Sequence, residues 1–551
     1  MAVLDETAVT RAPGARRRAV AGGGLAVLAA LGRYELWLDE NYSVVMAFAE
    51  GGILRGALVD TNPPLYLYLL RGWMELFGIT AGAVRSLSAV LGVAQLAVLG
   101  LWLHGFGLSR RAVGWALLLG ALAPLHVYYS QEARAYTLLY LLATLALWSF
   151  TRAARTGRWR DWLAHGTLIV AALYTHNIFL FAVPAFWAGA AILGFDRRQG
   201  RRLALAHAVA ALLYLPWLLA TLRVQEQGAL TWLAEGWAEA NPLLLLPDSI
   251  QALAVGARLP QFVRMARVPT ALAVLGFLWM IAVLVAAGLV GARRTAMETG
   301  REDGRRVQFL AAGTLIPLLL LLLYSLAIEP IYVVGRYDTL VYPALLGVLG
   351  VGCARLAGRP ARRGGGIAVS IGLLMVPLGI TGLCVGLRLL PLAENQPHQP
   401  QQARGKVLKD YVRPGDLIVC LGLEGAKILY QMRRHAIPGT LLTYPLATHN
   451  HLGYFDPEGA ATDPDLLARD AEAILEAFRA GDGAEEAPGR RLFLVLDPYA
   501  FRAPTPGGRE AAYTRIAETL IDALTAAGLE SWQDGEFWRL TQGLGLRAYT
   551  E

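Results

Sequence analysis

The chain has 551 residues, 55% of them hydrophobic and 17% charged, with a formal net charge of +8. A positive mean hydropathy of +0.43 with so few charges is a membrane-class composition, and it argues against an ordinary soluble chain. The positive charge does not point to nucleic acid, because the arginines cluster in short gaps between apolar runs and not on one soluble face.

Three cysteines, Cys353, Cys384 and Cys420, fit no metal spacing and no disulfide framework. Up to residue 390 the chain is dominated by apolar runs, and beyond it the sequence reads as soluble α/β. This gives a transmembrane domain over 1–390, a polar, proline-bearing linker over 391–405 and a C-terminal α/β domain over 406–551. The expected fold is a polytopic α-helical membrane protein with an appended soluble domain.

In chain order, about eleven runs are long enough, or nearly so, to cross a bilayer. They lie at 17–33, 82–103, 112–128, 135–150, 162–175, 178–194, 203–221, 270–292, 308–328, 338–354 and 365–387. The run at 64–77 is too short to span and carries Arg71 and Glu75, so it reads as an interfacial helix. Counted that way, Arg16 to Arg18, Arg110-Arg111 and the arginines of 152–160, 197–202, 293–306 and 355–363 all share the side of the N-terminus. The positive-inside rule makes that side cytoplasmic. The 19–31 run does not read as a cleaved signal peptide, since no small-residue cleavage site stands ahead of Arg33-Tyr34-Glu35.

This topology sorts the polar residues to the outer face. There lie LWLDENYS with Asp39 and Glu40, then Asp60 before Pro63-Pro64, YYSQEARAY (128–136), YTHN (174–177), the loop 222–268, EPIYVVGRYD (329–338) and the C-terminal domain. Charges at the bilayer centre cost on the order of 3 kcal/mol, so ionisable groups collecting at one face mark a cavity there. In the C-terminal part, RPGDLIVCLGL, GTLLTYPL, RRLFLVLD and EFWRLTQ read as strands, with helical patterns at 464–479 and 508–527, and parallel pairing is the default. It holds no Gly-rich phosphate loop, and His449 and His451 read as surface residues.

The ordered set LWLDENYS, DTNPPLYLYLLRGWMELFG, AVRSLSAV, PLHVYYSQEARAYTLL, LYTHN and GRYDTLVYPALL resembles the GT-C membrane glycosyltransferases. Within these it is similar to bacterial members of glycosyltransferase family 39, which include protein O-mannosyltransferases and the enzyme adding aminoarabinose to lipid A. The likeness covers roughly residues 17–350. It implies an inverting transfer of a sugar from a polyprenyl-phosphate-linked donor to a lipid, glycan or protein acceptor on the extracytoplasmic face of the bacterial inner membrane. It also implies that Asp39-Glu40 belongs to the catalytic centre, with Asp39 at the catalytic position. Many relatives carry His or Lys before the Pro-Pro pair, where this chain has Asn62.

Such chemistry needs a carboxylate to take the acceptor proton, cations or fixed donors facing the departing phosphate, and an apolar home for the isoprenoid tail. Asp39 is the expected base and Glu40 the second choice. Being adjacent they cannot share a face, so one of the two caps or pairs. Asp60 either orients Asp39, contacts a sugar hydroxyl or N-caps the 64–77 helix. Tyr129, Glu132 and Arg134 share one outer loop, where Glu132 and Arg134 either form a local ion pair or place Arg134 on the donor phosphate. Arg336, with Tyr337, is the other phosphate candidate, or else an interfacial anchor pair. His176 is either an interfacial hydrogen-bonder or a donor-binding residue. A divalent metal held by Asp39, Glu132 and His176 is a further option, although no local ligand spacing supports it. The alternative of another class is a transporter or flippase of an envelope precursor, which would carry ionisable or helix-breaking residues near the midplane.

Overall fold

The computed structural model describes residues 31–49, 51–59, 62–225, 241–255, 298–357, 400–446, 455–480, 489–497, 509–532 and 534–550, with positions 237, 283 and 285. The apolar runs at 17–33, 270–292 and 365–387 lie outside these residues but for a few positions, and so do Asp60, Cys384, His449 and His451. The chain divides into two compact units. One comprises the described residues of 1–34, 80–219 and 230–393, and the other those of 35–79, 220–229 and 394–551. The stretch from Glu35 to Ile79 is therefore grouped with the C-terminal segment.

Among the described residues, three short helices come first: α1 (Leu38–Ala47), α2 (Ile53–Val59) and α3 (Leu65–Phe77). Helix α3 starts after Pro64, whose own side chain makes no cap bond. It buries Tyr66, Leu67, Leu70 and Met74, a single helical stripe, and leaves Tyr68, Leu69, Leu76 and Phe77 exposed. An exposed apolar face on a 13-residue helix suits the interfacial role expected of 64–77.

The apolar unit follows with α4 (Ala81–Gly105), α5 (Arg110–Leu122), α6 (Pro124–Tyr129), α7 (Tyr136–Thr156), α8 (Trp159–Leu173) and α9 (Val183–Leu193). It continues with α10 (Arg197–Gln225), α11 (Leu245–Val255), α12 (Glu298–Ala327) and α13 (Tyr342–Ala357). Among the described residues, five segments are long and apolar enough to cross a membrane: Ala81–Gly105, Tyr136–Thr156, Arg197–Arg223, Gly304–Ala327 and Asp338–Ala357. Thr80 and Ser109 cap α4 and α5, each side-chain oxygen accepting from the N–H three residues on. The continuous run expected over 112–128 is instead two helices. Ala123 is extended, as a residue before proline prefers, and Pro124 begins a new helix where its missing N–H is not needed. That break ends α6 beside the YYSQEARAY loop.

Helix α13 packs on α5 at near-backbone contact: a Cβ at Gly350 would run into the Ala112 carbonyl and crowd Ala116. Small residues at such a crossing let two helices approach without lipid between them. Arg85 of the AVRSLSAV segment is fully buried and donates through Nη1 to the carbonyls of Leu31 (2.8 Å) and Tyr34 (2.6 Å). Its role is to satisfy the backbone at the end of the first segment.

In the other unit, α14 (Gln401–Tyr411) takes up part of the stretch expected to be linker. Then come β1 (Leu417–Leu421), α15 (Glu424–His435), β2 (Thr440–Tyr444), α16 (Pro457–Ala461), α17 (Pro464–Ala480) and β3 (Arg491–Val495). Last are α18 (Arg509–Ala526), β4 (Glu530–Ser531), α19 (Gly535–Thr541) and β5 (Leu546–Thr550). The sheet order is β2-β1-β3-β5-β4. Its pairings β1–β2 and β1–β3 are parallel as expected, whereas β5 runs antiparallel to both β3 and β4. Strands β1 and β3 are buried along nearly their whole length, as continuous apolar strands covered on both faces must be. The segment EFWRLTQ, expected as a strand, is helix α19. Asp534 accepts from the N–H groups of Glu536 (3.0 Å) and Phe537 (2.7 Å), and this cap nucleates the turn.

Candidate functional site

In the unit that holds residues 35–79, α1 places its two adjacent carboxylates in different surroundings. Glu40 is 1% exposed, and its Oε2 accepts from the Trp37 N–H (3.2 Å), closing the open end of the helix. Asn41, also buried, donates through Nδ2 to the carbonyls of Leu36 (2.8 Å) and Trp37 (3.0 Å). Asp39 remains partly exposed in the same first turn, and its carbonyl accepts from Ser43 Oγ (2.9 Å). One of the pair caps, as adjacency required, and it is Glu40.

In the apolar unit, the loops after α6 and before α13 converge. Gly335 adopts φ +71°, a conformation only glycine takes without strain, and its N–H donates to Asp338 Oδ2 (2.9 Å). Its carbonyl accepts from the Tyr129 hydroxyl (2.6 Å), and Thr339 Oγ1 donates to the carbonyl of Arg336 (2.7 Å). The turn so fixed presents Arg336, whose Nε donates to the Tyr136 hydroxyl (2.6 Å). Tyr136 lies 4.3 Å from Tyr129 and 6.1 Å from His176 between ring centroids, and His176 meets Tyr337 edge-on at 5.4 Å.

His176 Nδ1 accepts from the N–H of Ile178 (3.3 Å), so the neutral ring carries its hydrogen on Nε2. Burial lowers His176 to about 3, and the guanidiniums of Arg134 and Arg336 act in the same direction. Both arginines also act on Tyr136, and Glu132 acts on Tyr129 and Tyr136. Thus Tyr129, Glu132, Arg134, His176, Arg336 and Tyr337, six of the expected residues, come together in one cluster. The sequence posed Arg134 and Arg336 as rivals for the phosphate, whereas the fold brings both to one histidine.

Beneath the cluster, Tyr140 and Tyr342 face one another at 5.5 Å, and His126 stacks on both. Sequence reasoning left out Tyr136, Tyr140, Tyr342 and His126. A usable signal stood in the sequence: Tyr136 and Tyr140 are one helical turn apart, just after the polar stretch that holds Tyr129.

Among the described residues, no three His, Cys, Asp or Glu side chains stand together as a metal's ligand set. His176 Nδ1 accepts from backbone, which leaves the ring hydrogen on Nε2, and two guanidiniums stand near it, so the ring is set to donate to a ligand. The cluster brings together two guanidiniums, a neutral imidazole N–H, tyrosine hydroxyls and one carboxylate, Glu132, so its cations outnumber its anion and it can take a negatively charged group.

Residues 61–221 match the family described as dolichyl-phosphate-mannose-protein mannosyltransferase. The structure is similar to ArnT from Cupriavidus metallidurans in the apo state, at a TM-score of 0.59 and 15% identity over 98% of each chain. It is similar also to the same protein bound to undecaprenyl phosphate, at a TM-score of 0.57 and 16% identity over 98% of each chain. The oligosaccharyltransferase of Archaeoglobus fulgidus aligns at a TM-score of 0.50 and 14% identity, over 91% of this chain and 72% of that one. No curated protein matches in sequence. The fold is that of the GT-C membrane glycosyltransferases, the likeness the ordered motifs suggested.

Proposed function

We propose that the chain is an inverting glycosyltransferase that moves a sugar from a polyprenyl-phosphate-linked donor to an acceptor on the extracytoplasmic face of the membrane. The observation that carries this reading is the turn that holds Arg336 on the Tyr136 hydroxyl, with the rings of Tyr129, His176 and Tyr337 around it and Arg134 near enough to act on Tyr136 and His176. Negative charge grows on the phosphate as the glycosidic bond breaks, and donors already in place stabilise it without reorganisation. A fold shared with a protein solved with undecaprenyl phosphate supports the donor class. The arginine-rich gaps between apolar runs support the orientation.

In this reading Arg336 and Arg134 take the phosphate charge, and the Nε2–H of neutral His176 supplies a further donor. Asp39 takes the proton of the acceptor hydroxyl, while Glu40 holds the helix that carries it. The products are the glycosylated acceptor and the free polyprenyl phosphate.

The test is incubation of the purified protein in lipid nanodiscs with radiolabelled polyprenyl-phosphate sugars and an envelope lipid extract. Label passing covalently to the extract supports the proposal. Label that crosses proteoliposome membranes with no covalent product overturns it in favour of the transporter reading.

A further inference from the structure

We infer that the C-terminal domain serves the reaction by positioning α1, the helix of Asp39, an assignment that rests on Asp39 being the base. The contacts run along the whole first loop. Before the helix, Arg434 Nη1 bonds both carboxylate oxygens of Glu35, at 2.9 and 2.8 Å. Within it, Asn41 Nδ2 donates to Gln401 Oε1 (3.3 Å), at the first turn of α14.

Just after it, the Arg433 guanidinium lies 4.0 Å from the centroid of Phe48, and that of Arg71 lies 4.1 Å from the same ring. Two guanidiniums cannot share one face at that distance, so Phe48 is held between them. Arg71 also donates to the Ala47 carbonyl (3.2 Å), at the negative end of α1. Where the loop leaves, the Tyr430 hydroxyl donates to the carbonyl of Ile79 (3.0 Å). Asp39 thus lies between two tethered points, Glu35 and Asn41, and three of the gripping residues belong to one face and end of α15.

The other end of α15 is locked. Glu424 is fully buried, with its Oε2 on Arg404 (2.5 Å) and Oε1 on Lys427 (2.7 Å). Arg404 is as buried and reaches on to the carbonyls of Leu496 (2.8 Å) and Leu544 (2.5 Å). These groups stand at the carboxyl ends of β1 and β3, where the strand order reverses and an α/β sheet of this kind ordinarily takes its ligand. Here the chain's own arginine, glutamate and lysine fill that crevice. The domain keeps the architecture of a ligand-binding sheet and spends its specificity on fixing α15, which in turn fixes α1.

The experiment uses full-length protein in nanodiscs and four variants: Arg434→Ala, Arg434→Glu, Glu35→Arg and the double exchange of the last two. Two readouts are taken, amide hydrogen exchange over residues 36–48 and the kcat and donor KM of transfer. The single variants are expected to exchange faster in that window and to lose about tenfold or more in kcat, with donor KM within about twofold of the parent, because a base moved by an ångström fails while donor binding stands. The double exchange is expected to recover both, which general destabilisation would not do. Unchanged exchange over 36–48 in every single variant overturns the inference. Faster exchange with full kcat overturns the claim that this contact serves the reaction, whereas failure of the base assignment is read separately, as transfer at the parent rate by folded Asp39→Asn.

Discussion

Replacing Arg336 by alanine removes one of the two cations assigned to the donor phosphate. It also removes the donor to the Tyr136 hydroxyl at 2.6 Å. A hydrogen bond to a charged group contributes about 1.5–3 kcal/mol, which is roughly a tenfold to 150-fold change in an equilibrium constant. Because Arg134 acts on the same His176 and Tyr136, it retains part of the attraction, and the loss on Arg336→Ala falls at the lower end, about tenfold in donor KM. Arg336→Lys keeps the charge but loses the planar fork and the bond to Tyr136, so it should lie between alanine and the parent. Removing Arg134 as well should cost more than either loss alone, since each single variant leaves one guanidinium to face the phosphate. The assay is initial-rate transfer in nanodiscs with the polyprenyl-phosphate sugar varied at saturating acceptor. A donor KM equal to the parent's in both Arg336→Ala and Arg134→Ala would refute the assignment of this cluster to the phosphate.

Two further outcomes follow from the geometry. Glu40→Gln should keep both cap and transfer, whereas Glu40→Ala should lower stability by about 1 kcal/mol in denaturant unfolding, the usual loss for a helix cap. A large fall in kcat for Glu40→Gln with the helix intact would make Glu40 the base. His176, lowered to about 3 from an ordinary 6.5, stays neutral in the folded protein across the working range. The unfolded chain takes up that proton first, so this residue's contribution to stability falls as pH drops below about 6.5. His176→Asn should flatten that part of the stability profile, measured by thermal unfolding between pH 7 and pH 5. Retention of the full slope would show that another group titrates there.

Much of the cluster was legible in the sequence because its members lie in short polar stretches that interrupt apolar runs. Tyr129, Glu132 and Arg134 stand in one such stretch, His176 in a second, and Arg336 with Tyr337 in a third. The positive-inside count sent all three stretches to one face, and the fold joins them. The tyrosines beneath escaped notice because Tyr140 and Tyr342 sit within apolar helices, where an aromatic looks like any core residue. The division of labour between Asp39 and Glu40 was foreseen as a necessity of adjacency. Which carboxylate capped was set by the turn at Trp37, whose N–H lies within reach of position 40.

The misreading of EFWRLTQ has a local cause. Trp538 and Leu540 alternate with Arg539 and Thr541 and so fit a strand, and the Asp534 cap decided for helix. The grip of α15 on the first loop was beyond reach, since Glu35 and Arg434 are 399 residues apart and nothing in either local pattern names the other.

The central claim is that Asp39 removes the acceptor proton. The most direct measurement is transfer by Asp39→Asn, with folding checked by size-exclusion chromatography and thermal unfolding in the same detergent. Asparagine keeps the shape and the place in the first turn of α1 but cannot take a proton at neutral pH. The account predicts a folded protein with parent-like donor binding and no measurable transfer. Transfer at the parent rate by folded Asp39→Asn would contradict it.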